Sequence, residues 1–342
     1  MKFNTAAQAQ AKLRWNSIAK PLGGLGLLED MVSKIAGMRG DPDVALRKRT
    51  AVIMCADNGV VQEGVSQSDS RVTAAVAREI AGGRSSVNLL AEQFGAEVIA
   101  VDIGMNTDVD DGRILNRKIA YGTGDIADGP AMSREQAESA VDVGIRLVRE
   151  LSESGTDIIV TGEMGIGNTT TSAAVASVIL GTPPEQAAGR GAGLDSAGLD
   201  RKISVIKRAL EVNATDPHDP MDILATLGGF DIAGMAGLFL GGAECGIPVV
   251  IDGVISAAAA CIAEMISPGC RDFMLPSHIS NEPAAKLLLN RLGLSAPITA
   301  GFHLGEGTGG IMLLPLLDGA LSVYYGAHRF DDMNMERYTE LT

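Results

Sequence analysis

The chain has 342 residues, of which 46% are hydrophobic and 20% charged, a composition typical of a globular protein with a substantial core. Its formal net charge of −14 repels phosphate backbones, so a nucleic-acid partner is not expected. No apolar stretch reaches about 18 uninterrupted residues and no signal peptide is recognisable, so we expect no membrane span. The four cysteines form no C-x-x-C pair, which fits a reducing, cytoplasmic compartment.

The first elements in the chain are predicted helices, and from Thr50 onwards short apolar runs alternate with helical stretches. The predicted strands are Ala51–Ala56, Ala96–Ile103, Asp157–Thr161, Ile247–Ile251 and Ile298–Phe302. The predicted helices are Ala6–Leu13, Leu25–Ile35, Val72–Ala81, Arg134–Glu150, Thr170–Ile179, Arg201–Val212, Ile255–Ile266 and Glu282–Leu292. This alternation predicts an α/β fold with a mostly parallel sheet covered by helices on both faces.

We divide the chain at two points. Residues 49–310 contain the strands and form the predicted α/β domain. Residues 1–48 form an N-terminal helical segment, and residues 311–342 contain a C-terminal helix. These two terminal segments are predicted to pack together as a small helical subdomain or to form a dimer contact.

Acidic residues stand near the ends of all five predicted strands. They are Asp57, Asp102, Glu163, Asp252 and Glu306. In open parallel sheets the ligand lies outside the carboxyl ends of the strands, so their shared placement indicates a site. Any single one of them could instead be a helix cap.

A glycine-rich segment, Thr161 to Thr170, follows the third predicted strand and precedes a helix. Glycines there bring backbone N–H groups against an anion at the helix N-terminus, so Gly165, Gly167 and Asn168 are candidate phosphate or ribose contacts. The segment nearly fits the phosphate loop G-x-x-x-x-G-K-[ST], but Asn168 replaces the lysine. A monophosphate therefore fits better than a triphosphate, although a turn that only caps the helix has the same pattern.

A second glycine loop, Gly189 to Gly193, precedes the helix that carries Lys202. Its backbone, including Gly191, could complete a phosphate cradle in which Lys202 is the point charge. The alternative is a solvated surface lysine, since most lysines are exposed.

Two further segments carry candidate site residues. Glu306 lies between Gly305 and Gly307, and burial would raise the pKa of its carboxyl toward that of a general base; a loop glutamate facing water is the alternative. Asp57, with Ser66 and Gln67, could form the rim of a pocket for a heterocyclic base. A plain turn fits that composition equally well.

Metal-ligand spacing is missing from the sequence. The four histidines are not paired, no H-E-x-x-H occurs, and the aspartates near 110 lack calcium-loop spacing, so we predict no metal site. His278 is interpreted as a polar core or loop residue.

A set of segments distributed over nearly the whole chain occurs in a characteristic order. They are Lys20–Gly26, Ala56–Val60, Glu63–Ser66, Gly162–Thr170, Gly228–Met235, Pro248–Gly253, Pro276–His278 and Leu304–Gly309. Together they resemble the nicotinate-nucleotide:dimethylbenzimidazole phosphoribosyltransferase family. Each glycine motif alone is weakly specific, whereas their co-occurrence in order is highly specific.

The resemblance implies an activity, a fold and three residue roles. The enzyme would move the phosphoribosyl group of nicotinate mononucleotide to dimethylbenzimidazole or a related base during cobamide assembly, giving α-ribazole 5′-phosphate and nicotinate without a cofactor. The fold would be a Rossmann-like α/β domain with a small helical subdomain, working as a homodimer. Glu306 would be the general base, Glu163 would lie near the ribose or base, and Lys202 would help hold the 5′-phosphate.

The sequence departs from the family pattern at the predicted base pocket. Asn58 stands where many relatives have histidine, and residues 67–71 replace an aromatic–proline pair. These differences leave the identity of the base open. Two alternative functions are an NTP-dependent kinase or ATPase with a degenerate phosphate loop, and a non-catalytic nucleotide-binding protein.

Overall fold

The computed structural model describes residues 2–339, and a six-stranded, fully parallel sheet lies at its centre. Its strand order is β3-β2-β1-β4-β5-β6. The strands are β1 (Arg49–Ala56), β2 (Glu97–Gly104), β3 (Leu115–Asn116), β4 (Ile158–Met164), β5 (Val249–Ile251) and β6 (Met274–Pro276). The order reverses between β1 and β4, and ligands bind at such a point in parallel sheets.

Helices cover both faces of the sheet. One face carries α1 (Thr5–Ser17), α2 (Leu27–Arg39), α3 (Arg71–Ala81), α4 (Ser86–Gln93), α13 (Thr308–Ile311) and α14 (Leu314–Gly326). The other carries α5 (Arg134–Glu153), α6 (Asn168–Leu180), α7 (Pro184–Ala187), α8 (Ser196–Asn213), α9 (Pro220–Leu227), α10 (Phe230–Cys245), α11 (Val254–Ile266) and α12 (Ala284–Leu292).

Strand β1 shows why the sheet needs helices on both sides. Successive side chains of a strand point to opposite faces. Val52 and Met54 pack into one hydrophobic core, whereas Ile53 and Cys55 pack into the other. All four are fully buried, so the strand is apolar throughout instead of alternating between apolar and polar residues.

Helix α10 lies in backbone contact with α5 because both helices carry glycine at the crossing. A Cβ on Gly144 would lie 2.1 Å from the carbonyl oxygen of Gly234, and a Cβ on Gly237 would lie 2.0 Å from that of Val141. Larger residues would push the helices apart. This packing fixes the N-terminus of α10, which carries Asp231, beside the sheet.

The α/β fold with a parallel sheet is confirmed, and four of the predicted strands correspond to β1, β2, β4 and β5. The predicted strand Ile298–Phe302 is wrong, because Ile298 forms only an isolated bridge with His278. The short strands β3 and β6 were not predicted, since two or three residues show no periodicity. Helix α10 was also missed, because a helix buried on all sides lacks a polar face.

The two terminal segments meet each other as well as the sheet. The rings of Trp15 and Tyr324 lie 4.9 Å apart, and Arg14 donates to the carbonyl oxygen of Tyr324. Both segments share a hydrophobic core with β1 and β4. Their division into a separate subdomain, with boundaries at 48 and 311, stays a prediction. Residues 340–342 of the predicted C-terminal segment lie outside the described residues.

Within residues 2–339, no helix combines the length and the hydrophobicity that crossing a membrane requires.

Candidate active site

A cleft of about 310 Å³ opens at the carboxyl ends of β4, β5 and β6. Each of these strands contributes a titratable side chain at or just beyond its end, namely Glu163, Asp252 and His278. Glu306 closes the cleft from the loop before α13. Two other acids at strand ends, Asp57 and Asp102, do not line it.

Glu163 is a buried acid of the cleft that belongs to a hydrogen-bonded group. Asn168, in the first turn of α6, donates its side-chain amide to Glu163 and, over 3.0 Å, to Oδ2 of Asp231. Burial and the neighbouring charge of Asp231 raise the pKa of Glu163 to about 8, and burial raises the pKa of Asp231 to about 6. Both carboxyls therefore bind a proton more tightly than solvated carboxyls do.

The backbone around Glu306 is strained. Gly305, Glu306 and Gly307 have φ angles of 83°, 58° and 79°, so three consecutive residues are left-handed. For a residue with a side chain this conformation costs roughly 1–2 kcal/mol. Such strain persists where the surroundings fix the backbone, and it is common at functional sites.

Glycine at position 162 brings the loop of Glu306 against β4. A Cβ there would lie 2.9 Å from the amide nitrogen of Gly307 and 3.0 Å from the carbonyl carbon of Glu306. A Cβ on Gly305 would lie 2.8 Å from Oε1 of Glu163. The missing side chains thus allow Glu163 and Glu306 to share one cleft.

The environment of Glu306 favours a proton acceptor. Burial raises the pKa of its carboxyl, and the charge of Asp252 raises it further. A carboxylate with a raised pKa binds a proton more tightly than a solvated one does, so it is a stronger base. The side chain is only half-buried and lines the cleft, where a ligand can reach it.

The two glycine loops meet at Lys202, which is fully buried. Its Nζ donates to Oγ1 of Thr169 over 2.9 Å and to the carbonyl oxygen of Gly189 over 3.1 Å. Burial lowers the pKa of Lys202 to about 8. The lysine itself does not line the cleft, whereas Thr169 and Gly191 do.

The remaining predicted contacts lie around the N-terminus of α6. Gly165 and Asn168 line both the main cleft and a small neighbouring cavity of about 60 Å³, which Gly167, Ser66 and Gln67 also line. The side chain of Gln67 donates to the carbonyl oxygen of Gly193 and so ties the segment before α3 to the second glycine loop.

Asp57 lies apart from these contacts. It is buried, and its Oδ2 accepts from the backbone amide of Asn106 over 2.8 Å. Burial raises the pKa of its carboxyl. Asp57 does not line the cleft, so its predicted role in binding the base stays a prediction.

Several residues of the site were not among the predicted contacts. Asp252 and His278 line the cleft, and Asp231 lies behind it against Asn168. The position of Asp252 at a strand end was the available signal. His278 follows β6, a strand too short to recognise, and Asp231 lies in a helix whose apolar composition hid it.

Among the described residues, one acidic group has its oxygens close enough to hold an ion, and it lies away from the cleft. Glu63, Asp125 and Asp128 form it, and Arg208 pairs with Glu63 and Asp128. The cleft itself places four carboxylates and two histidines around a space of ligand size. This arrangement suits proton transfer to or from a bound molecule.

Comparison with known proteins identifies the class. A family model described as phosphoribosyltransferase matches residues 1–335, and the chain belongs to this family. It is therefore an enzyme of the phosphoribosyltransferase class, and the predicted family is confirmed. The alternative of a kinase or ATPase with a degenerate phosphate loop is not favoured.

Relatives with similar sequences carry one name, nicotinate-nucleotide–dimethylbenzimidazole phosphoribosyltransferase. That of Acetivibrio thermocellus is 45% identical over 325 residues, which are 95% of this chain and 93% of the relative. That of Ruminiclostridium cellulolyticum is 43% identical over 99% of this chain and 97% of its own length. The crystal structure of CobT from Thermus thermophilus matches with a TM-score of 0.92 and 35% identity, covering 97% of this chain and 99% of that one.

Proposed function

We propose that this protein transfers the phosphoribosyl group of nicotinate mononucleotide to 5,6-dimethylbenzimidazole or a related base in cobamide assembly. The products are α-ribazole 5′-phosphate and nicotinate. The observation that carries the proposal is the position of Glu306, a half-buried carboxylate on a strained backbone, which shares a cleft with Glu163. The names of the relatives supply the substrates.

The chemistry of the substrates explains what Glu306 would do. The bond between C1′ and the nicotinate nitrogen breaks, and its electron pair neutralises the cationic ring. A ring nitrogen of the incoming base bonds to C1′, and the base loses its N–H proton. Glu306 would accept that proton if the carboxylate came within about 2.6–3.2 Å of the nitrogen that carries it.

The carboxyl pair of Glu163 and Asp231 would act on the ribose. Positive charge develops on the sugar as the nicotinate departs, and a fixed negative charge nearby stabilises it. Both carboxyls are buried, so the field of an ionised member of the pair is weakly screened. Because the pKa of Glu163 is raised, its carboxyl is protonated more easily than a solvated one, and the protonated form would donate a hydrogen bond to a substrate oxygen.

The 5′-phosphate would lie where the two glycine loops meet. Gly165, Gly167 and Asn168 stand at the N-terminus of α6, whose backbone amides attract an anion. Gly191 approaches from the second loop, and Lys202 supplies a positive charge beneath both. Ser66 and Gln67 border the same region, on the side where the base would enter.

A cytoplasmic location fits a biosynthetic enzyme whose substrates are intracellular metabolites. The homodimer that the family resemblance implies stays a prediction, which sedimentation of the purified full chain tests.

The test of function is incubation of the purified chain with nicotinate mononucleotide and a panel of bases. We expect release of nicotinate and formation of a base–ribose phosphate, both identified by mass. ATP binding is measured in parallel, and binding of ATP without release of nicotinate would support the kinase alternative. Failure to release nicotinate with any base would leave a non-catalytic nucleotide-binding protein.

A further inference from the structure

Asp252 holds the loop that carries Glu306. It follows β5 directly, is buried, and accepts the backbone amide of Gly310 at Oδ1 over 2.8 Å. The amides of Gly307 and Gly309 lie close enough to this carboxylate to favour its ionised form. Three amides from the glycine segment next to Glu306 thus converge on one side chain.

Close packing leaves this loop little freedom. A Cβ on Gly309 would lie 2.1 Å from Cε1 of His278 and 3.0 Å from Oδ1 of Asp252. At the other end of the loop, Oγ1 of Thr308 donates to the carbonyl oxygen of Gly305 over 2.7 Å. These contacts fix the backbone on both sides of the left-handed Glu306.

We propose that Asp252 is a positioning residue for the transfer reaction, which acts by anchoring the amides of Gly307 to Gly310 so that Glu306 faces the cleft. This inference rests on the proposed function of Glu306. It assigns a role to an acid that touches the loop and not the reacting atoms.

The charge of Asp252 should also affect the pH dependence of turnover. Burial raises the pKa of Asp252, while His278 and the three backbone amides favour its ionised form. The ionised carboxylate in turn raises the pKa of Glu306. The titratable side chains lining the cleft around Glu306 are Glu163, Asp252, His278, Glu282 and His303.

The experiment measures turnover against pH for the full chain and for Asp252→Asn and Asp252→Ala. The alanine variant loses the acceptor, and a displaced loop should lower turnover by about 10²-fold while the mononucleotide Kd changes less than about twofold. The asparagine variant keeps one oxygen but loses the charge. The acid limb of its pH profile of turnover should move to lower pH, because Glu306 loses its proton more readily without the neighbouring charge of Asp252.

The control is Asp142→Asn, an exposed aspartate on α5 whose partner is Arg146. Its turnover, the pH profile of that turnover and its mononucleotide Kd should equal those of the unsubstituted chain. Near-normal turnover of Asp252→Ala, or an unmoved acid limb in Asp252→Asn, would overturn the inference.

If neither Asp252→Asn nor Asp252→Ala folds, Asp252→Glu serves as the test variant, because it keeps the charge but displaces the carboxylate. A turnover loss of at least about tenfold with normal mononucleotide binding supports the inference, and normal turnover overturns it. An inactive unsubstituted chain would instead refute the proposed function, and the inference would fail with it.

Discussion

Asn168 donates its side-chain amide to Glu163, at the position where a phosphate-loop lysine would stand. The same amide group donates to Asp231, so both of its N–H bonds are directed toward buried carboxyls. A nucleoside triphosphate would place its charge next to this acidic pair without the lysine that usually neutralises it. The relationship explains why a loop so close to the phosphate-loop pattern suits transfer from a monophosphate.

Replacement of Glu306 by glutamine should abolish most of the turnover. The amide has the shape of the carboxylate but cannot accept the proton of the base, so we expect a loss of about 10²–10⁴-fold. Mononucleotide binding should change little, because the proposed phosphate contacts lie at the glycine loops. Turnover and isothermal titration measure the two effects. Glu211→Gln, an exposed residue of α8, is the matched control, and near-normal turnover of Glu306→Gln would make Glu163 the candidate base.

Glu163 should make the protein less stable as the pH rises. The pKa of its carboxyl is raised from 4.5 to about 8, so the folded state binds an extra proton between these values. Because the folded state then holds more protons than the unfolded state, the free energy of unfolding falls as the pH rises through this window. Thermal unfolding from pH 5 to 9 should show a shallower decline for Glu163→Gln. Parallel curves for the two proteins would contradict the raised pKa.

Lys202 should control binding of the mononucleotide through its charge. With a pKa of about 8, the ammonium is lost at alkaline pH, so the Kd of nicotinate mononucleotide should rise as the pH passes about 8. Lys202→Met should weaken that binding more than it weakens base binding and should remove the pH dependence. Lys207→Met, an exposed lysine of the same helix paired with Glu185, serves as the control. Equal effects on both substrates would argue against a phosphate role.

The reaction should need no divalent metal. Nicotinate leaves from a cationic ring, so no pyrophosphate charge has to be neutralised. The buried acids and Lys202 are proposed to stabilise the charges of the reacting groups. Turnover measured in EDTA should equal turnover in Mg²⁺. Activity that is lost in EDTA and restored by Mg²⁺ would show that a metal participates.

The sequence alone determined the alternation of strands and helices, because short apolar runs indicate buried strands and amphipathic helices carry a strong periodic signal. It also indicated Glu163 and Glu306, since both stand in glycine-rich segments, and the order of motifs identified the family. Short elements such as β6 remained hidden because two or three residues show no period.

Only the tertiary structure decided which strand-end acids share a site. The strand order places the ends of β4, β5 and β6 side by side, so Glu163 and Asp252 line one cleft. Asp102, on β2, lies elsewhere. It accepts a hydrogen bond from the backbone amide of Met105 and pairs with Lys118. Strand order is set by long-range packing, which no local sequence pattern encodes. The same reason applies to Lys202, whose burial beneath two loops depends on contacts with residues 13 and 33 positions away.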